Sequence, residues 1–368
     1  MTGRSSKGLD FLVKRDDWSE CRFEGTAAPG ELASGQVLFA VDRFAFTANN
    51  ISYAMAGEML RYWDFFPAET GWGRIPTMGF ADVVASAHPE VSEGLRVFGF
   101  FPMSRHLVIE PSRVAAEGIT DGVAHRAGIA AAYNNYTPVQ SDTAYSAPHE
   151  DEHMLLRGLF LTSFLVDDFL AEHDLYGARS VVIGSASSKT AIALAYLLSQ
   201  ARSARVIGLT SPRNAAFVKG LGHYDEVLLY DDVESLPGDV PSVLVDMSGN
   251  GDVVNRIHHR LGDQLKHSCI VGATHWSAGP RADDLPGAKP EFFFAPGQIQ
   301  KRAAEWGPAV FQERVGSAWV GFRDSTAAWL RVTRGYGRDA VERVYRETLE
   351  GRADPSFGRV LSLWDAAG

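Results

Sequence analysis

Ser180-Val181-Val182-Ile183-Gly184-Ser185-Ala186-Ser187-Ser188-Lys189-Thr190, then AIALAYLLSQA over 191–201 and RVIGLTSPRNA over 205–215, is the stretch that decides the fold. SVVIG is a short run of β-branched residues closed by glycine, the pattern of a strand buried on both faces. AIALAYLLSQA then has helical spacing, and RVIGL opens a second unit of the same kind. The alternation continues through EVLLY (226–230) and SVLVDMSG (242–249), whose helix is VVNRIHHRLG (253–262). SCIVGAT (268–274) and EFFFAPG (291–297) supply a fifth and a sixth strand. Strands alternating with helices at this spacing predict an α/β fold with a doubly wound parallel sheet.

Outward from this core the texture changes. HEDEHMLLRGLFLTSFLVDDFLAEHD (149–174) has an acidic start and apolar residues at helical spacing, so it reads as one or two helices. Before it, residues 36–58 open as a half-buried strand, and 73–110 carry the short runs, glycines and prolines of a barrel-like or sandwich unit. Near the other end, AVERVYRETLEGR (340–352) reads as a helix and GRVLSLW (358–364) as a strand. The expectation is a discontinuous arrangement. Residues 1–155 with 300–368 form a β-rich domain, into which an α/β domain over 156–299 is inserted.

A length of 368 residues suits two domains, and 45% hydrophobic residues give each a core. The formal net charge of −10 favours neither a nucleic acid nor an anionic membrane as partner. No apolar run approaches the roughly 18 residues of a membrane span, and the first residues lack the apolar stretch of a signal peptide, so a soluble, cytoplasmic protein is expected. Cys21 and Cys269 lack neighbours at zinc spacing, and Cys269 reads as a buried structural thiol. His149 and His153 stand among acidic residues and read as a solvated helix start rather than a metal site.

A doubly wound sheet receives the pyrophosphate of a dinucleotide at its first strand-to-helix turn, here Gly184 to Thr190. The turn lacks the full G-x-G-x-x-G pattern and is not a Walker A phosphate loop, because Ser188 precedes Lys189-Thr190 where glycine is needed. A Ser-capped helix start is the plainer reading of the same residues. The end of the second strand decides the cofactor. Thr210, Ser211 and Arg213 follow RVIGL with no acidic residue before Asp225. Hydroxyls plus a guanidinium suit a 2′-phosphate, so NADP(H) is expected rather than NAD(H); the alternative for Arg213 is a solvated first-turn residue.

The run from Val181 to Asp232 resembles the cofactor domain of the medium-chain dehydrogenase/reductase superfamily, in its zinc-independent branch of quinone oxidoreductases and enoyl reductases. SVLVDMSGN, CIVGAT, GQVLFAVDRFAFTANNISYAMAG (35–57) and GLRVFGFF (94–101) extend the likeness over nearly the whole chain, strongly over 180–275 and loosely elsewhere. The sequence is also similar to a subgroup of that superfamily carried as a domain of unknown function. The resemblance implies a Rossmann-type sheet inserted in a GroES-like catalytic domain. Thr162 would lie near the nicotinamide carboxamide, Ser187 and its followers at the pyrophosphate, Ser211 at the 2′-phosphate and Tyr230 near the adenosine phosphate. The usual Lys falls on Asn214, which moves the cation to Arg213. Met247, Gly249, Val271 and Gly272 would line the cofactor path, with Phe293, Phe294 and Ala295 beside the nicotinamide. Two glycines usual in the turn are replaced by Ser188 and Lys189, and the metal-ligand set of the zinc-dependent branch is absent.

Without zinc, hydride transfer needs a substrate oxygen held by hydrogen-bond donors. The loop Thr47-Ala48-Asn49-Asn50-Ile51-Ser52-Tyr53 offers them where the resemblance places the substrate. Asn50 and Tyr53 are the catalytic candidates, and Thr47 and Asn49 would also face substrate; turn formation and aromatic packing are the competing reading. Tyr133 and Tyr136 form a second candidate cluster. The implied activity is NADPH-dependent reduction of an activated C=C bond, a quinone or an enoyl thioester on a small-molecule substrate. Carbonyl reduction, or a non-catalytic NADP-binding protein, is the alternative. The apolar run Glu291–Ala295 as a last strand further predicts a homodimer.

Overall fold

A computed structural model describes residues 7–27, 30–130, 133–272 and 284–366. The chain divides into two compact units, 1–155 with 331–368, and 156–330.

In the second unit six parallel strands lie in the order Glu226–Leu229, Arg205–Thr210, Ser180–Gly184, Ser242–Asp246, Leu265–Ile270, Pro290–Phe292. The sheet thus grows outward in both directions from Ser180–Gly184, and the order reverses between that strand and Ser242–Asp246. A doubly wound sheet opens its ligand crevice at such a point. Strand periodicity explains the two cores. Val181, Ile183, Val206, Val243 and Val245 face the helices Glu150–Glu172 and Lys189–Ala201. Val182, Ile207, Leu209 and Leu244 face Val253, Val254, Ile257 and Leu261 of the helix Gly251–Leu261. Cys269 is buried in the first core, and burial pushes its thiol up to about 12.

The acidic run from Glu150 forms one helix of 23 residues. The boundary expected near 300 lies instead between Leu330 and Arg331. Its cause is packing: in the helix Pro308–Ser325, Trp319 and Phe322 sit 5.6 and 5.3 Å from Phe160, and Phe322 also meets Tyr196. Arg302, in the helix Ala295–Trp306, pairs with Asp168 at 2.5 Å. Residues 300–330 therefore complete the parallel-sheet unit.

The first unit holds a nine-stranded sheet in which Val37–Phe46 pairs antiparallel with Pro76–Ser86, His106–Ile109 and the C-terminal strand Phe357–Ser362. A smaller three-stranded sheet is built on Gly8–Lys14. The helix Gly337–Leu349 belongs here: Tyr345 packs on Phe11 and Phe46 at 5.1 and 5.9 Å, and its hydroxyl donates to the Trp18 carbonyl. At the start of the Glu150 helix, Arg43 pairs with Glu150 and Asp151, and Arg96 with Glu150, Asp42 and Asp82. This network explains why so acidic a segment is tolerated there.

Candidate cofactor turn and aromatic cluster

The turn after Ser180–Gly184 is tight for reasons that each residue supplies. Ser185 adopts φ +55°, a left-handed conformation that costs a non-glycine residue about 1–2 kcal/mol. The Ala186 N–H then donates to the Leu209 carbonyl at 2.9 Å, pinning the turn to the second strand. Ser188 caps the helix Lys189–Ala201, its hydroxyl accepting from the Ala191 N–H. Thr190 belongs to the first helical turn, and its carbonyl accepts from the buried Ser163 hydroxyl at 2.8 Å.

Two glycines let the strands close on this turn. A Cβ on Gly184 would stand 2.9 Å from a carboxylate oxygen of Asp246, and one on Gly208 would stand 2.9 Å from the Ala186 side chain and closer still to Tyr224. Tyr224 donates to the Ala186 carbonyl at 2.8 Å, and Asn214 donates to the Ser187 hydroxyl at 3.0 Å. Tyr230 hydrogen-bonds to Ser185, and burial pushes its phenol upward. Asp246 organises the neighbouring turn by accepting from Ser248 and from the Gly249 N–H, while its carbonyl accepts from the Val271 and Gly272 N–H groups. Gly249 needs its freedom, with φ +66°, and Met247 is buried beside it.

At the end of the second strand Thr210 is 1% exposed, and its hydroxyl has no hydrogen-bond partner among the described residues. Ser211 is the N-cap residue of the helix Pro212–Gly220, and Arg213 is exposed in its first turn. Small residues at the crevice, an orphan hydroxyl and a helix N-terminus fit a dinucleotide with a 2′-phosphate. Gly184 to Thr190, Thr210, Asn214, Tyr230, Met247, Gly249, Val271 and Gly272 thus gather around the carboxyl ends of the strands.

Other expected residues part from this group. The sixth strand ends at Phe292, Phe293 bonds back to the Ile270 carbonyl and packs on Phe169 at 5.6 Å, and Phe294 directly precedes the helix that begins with Ala295. Pro296 in the first turn stops the ladder there, so Phe294 and Ala295 do not extend a late strand. The Thr162 hydroxyl turns back on its own helix, donating to the Gly158 carbonyl.

In the first unit, Thr47 to Tyr53 forms the start of the helix Ala48–Met55. Asn50 is 5% exposed; its amide oxygen accepts from the Thr47 N–H at 2.8 Å and its nitrogen donates to the Pro76 carbonyl at 2.9 Å. The Thr47 hydroxyl also donates to Asn50. The amide therefore caps the helix, with its oxygen and nitrogen both engaged within the protein. Tyr136 is likewise engaged within the protein: it is fully buried, accepts from Arg126 at 2.8 Å and packs on Phe39 and Phe101. Burial pushes its phenol up to about 12.

Tyr53 is half-buried in an aromatic cluster with Tyr62, Phe100 and Tyr133. Its ring lies 4.6 Å from that of Tyr62, and its hydroxyl shares a hydrogen bond with Asn49. Tyr62 and Tyr133 share another. Burial pushes all three phenols upward, Tyr53 and Tyr62 farthest, so they stand as neutral hydrogen-bond donors.

Asp246, Tyr224 and Tyr62 escape a sequence reading. The only signal for Asp246 is an acidic residue closing SVLVD; Tyr62 lies in RYWDFF, which carries no chemical pattern. The two histidines part: His153 is buried edge-on against Phe98, and His149 is half-buried beside Glu152. Among the described residues no helix is long and apolar enough to cross a membrane.

Comparison with known proteins gives the family and the fold. The family described as "Protein of unknown function (DUF2855)" matches residues 44–354. No curated protein matches the sequence. Among solved structures, one assigned as an NADPH:quinone reductase from Mesorhizobium loti superposes with a TM-score of 0.63 at 14% identity, covering 98% of this chain and 99% of that one. CurA from Vibrio vulnificus in complex with NADPH gives 0.61 at 11%, covering 98% and 100%. The Etr1p complex with NADP and crotonyl-CoA gives 0.57 at 11%, covering 97% and 99%. Over nearly the full length of each chain the likeness is one of fold.

Proposed function

We propose that this chain, which belongs to the DUF2855 family, is an NADPH-dependent oxidoreductase that reduces an activated C=C bond, a quinone or an enoyl thioester without zinc. The observation that carries the reading is the second-strand end. Thr210 presents an orphan buried hydroxyl, Ser211 stands at a helix N-terminus, Arg213 is exposed, and no carboxylate competes for a ribose hydroxyl. Backbone N–H groups around Ser187 and Ser188 would take the pyrophosphate, with Lys189 adding charge. Tyr230 and the Val271–Gly272 turn would border the bound cofactor, which supplies hydride chemistry. Tyr53, kept neutral by burial, would donate to the substrate oxygen, with Tyr133 at its side.

A second reading, a protein that binds NADP(H) without turnover, draws on Asn50, whose amide is engaged in capping. Fluorescence titration with NADPH and NADH, followed by NADPH consumption against enones, quinones, enoyl thioesters and aldehydes, separates the readings. Failure to bind either cofactor overturns both. The chain is further proposed to act as a homodimer, because Phe292 and Phe294 are 56% and 52% exposed at the edge of the parallel sheet.

A further inference from the structure

The first unit contains a cavity of 270 Å³ that shares no residue with the Thr47–Tyr53 segment. Asp10 and Ser104 face each other across an isolated antiparallel bridge, and both line it. Arg74 pairs with Asp10, and Arg126 pairs with Asp121 at 3.1 Å. Phe65, Phe66 and Val108 line the same space.

The polar inventory of this cavity is one-sided. Asp121 is saturated: one oxygen accepts from the Glu110 and Val123 N–H groups, the other from Arg126. Arg126 is 1% exposed and uses its terminal nitrogens on Asp121, Tyr136 and the Tyr133 carbonyl, yet its Nε has no partner among the described residues. The Ser104 hydroxyl, on a residue 2% exposed, has none either. A buried donor left unmade costs about 1–3 kcal/mol, more when charged, so two in one cavity wall call for an acceptor. The Arg126 guanidinium also lies 5.0 Å from the centre of the Phe66 ring and 5.8 Å from that of Phe65, which places aromatic faces beside the unmet donor.

We propose that this cavity is a second binding site, for a small aromatic monocarboxylate whose oxygens accept from Ser104 and Arg126 while its ring lies against Phe65 and Phe66. The volume admits about one substituted ring, below the usual ~300–1,000 Å³ of sites for larger ligands.

Calorimetric titration of the full chain with benzoate, and with benzyl alcohol as the uncharged comparator, tests this. Saturable benzoate binding, at least about tenfold tighter than benzyl alcohol, is expected, because charge-assisted hydrogen bonds are the stronger kind. Ser104→Ala should weaken benzoate several-fold with little change to the fold, and Val108→Trp should abolish binding by filling the space. NADPH at saturation should leave benzoate affinity unchanged. Equal binding of the two probes, parental affinity in both variants, or displacement of benzoate by NADPH would each overturn the proposal; the last would place benzoate in the cofactor site instead.

Discussion

Asn214 donates to the hydroxyl of Ser187 at 3.0 Å and so ties the helix after the second strand to the first turn of the sheet. The bond holds a turn that would meet the pyrophosphate, a group common to both nicotinamide cofactors. Asn214→Ala should therefore weaken NADPH and NADH equally, by about 0.5–1.5 kcal/mol, the net value of a neutral hydrogen bond. Titration of the variant with each cofactor checks this. A loss confined to NADPH would instead put Asn214 itself at the 2′-phosphate.

Arg213 carries the opposite expectation. Exposed in the first turn of the next helix, it has the fork of donors that a 2′-phosphate needs. Arg213→Ala should cost NADPH about 1.5–3 kcal/mol, the range for hydrogen bonds to charged groups, and leave NADH nearly untouched. Equal losses would show that Arg213 does not read the phosphate.

The contrast between these two neighbours also marks how far the sequence could be read. Val181 to Ile183 and Val243 to Val245 are apolar on both faces, so their burial and their parallel pairing are legible from residue type alone. The ends of those strands carry the candidate site, and there the decisive facts are contacts between segments distant in sequence. Nothing local says that Tyr224 reaches the Ala186 carbonyl or that Tyr62 meets Tyr53 and Tyr133. Asn50 shows the converse. An amide in a polar loop reads as a substrate donor, yet at the third position of a helix it is a cap, and only the helix that follows Thr47 reveals the difference.

Asn50 and Tyr53 should accordingly separate. Asn50→Ala removes a cap and the bond to Pro76, and should lower stability by about 0.5–2 kcal/mol, read as a shift of the denaturation midpoint. Tyr53→Phe keeps the ring packing on Tyr62 and removes only the hydroxyl. It should reduce turnover of an identified substrate by about 100-fold, the lower bound for losing one oxygen-holding donor, with NADPH affinity unchanged. A Tyr53→Phe enzyme turning over at the parental rate would remove this segment from the chemistry and leave Tyr133 as the next candidate.

Asp167 gives the chain a pH signature. Burial, with Asp168 beside it, pushes its carboxyl up to about 6 from an ordinary 3.8. Between those values the folded state holds a proton that the unfolded state has lost, so stability falls as pH rises through this window and levels off above it. Asp167→Asn removes the charge that burial penalises. Thermal melts should show the variant more stable than the parent at pH 7, with the difference vanishing below about pH 4. A variant less stable at pH 7 would mean that the ionised carboxylate has a partner that offsets its burial.

The proposal of a homodimer rests on the strand Pro290–Phe292, which pairs on one side with Leu265–Ile270 and ends the order of the sheet. Such an edge invites another chain, and beside Glu291 it carries exposed rings: Phe292 is 56% exposed and Phe294, two residues on, is 52% exposed. A two-fold axis along the edge would bring both rings of each copy to the same contact, since an isologous interface uses one patch twice. Fully burying a Phe stabilises by about 1.5–3 kcal/mol, so four rings supply a substantial part of the association free energy. Sedimentation of the parent at micromolar concentration should give twice the chain mass of 40.1 kDa. Phe292→Lys should shift it to the single-chain value, because an edge lysine carries charge into the contact, while circular dichroism stays unchanged. A parent that sediments as a single chain would mean that this edge has no second copy to cover it.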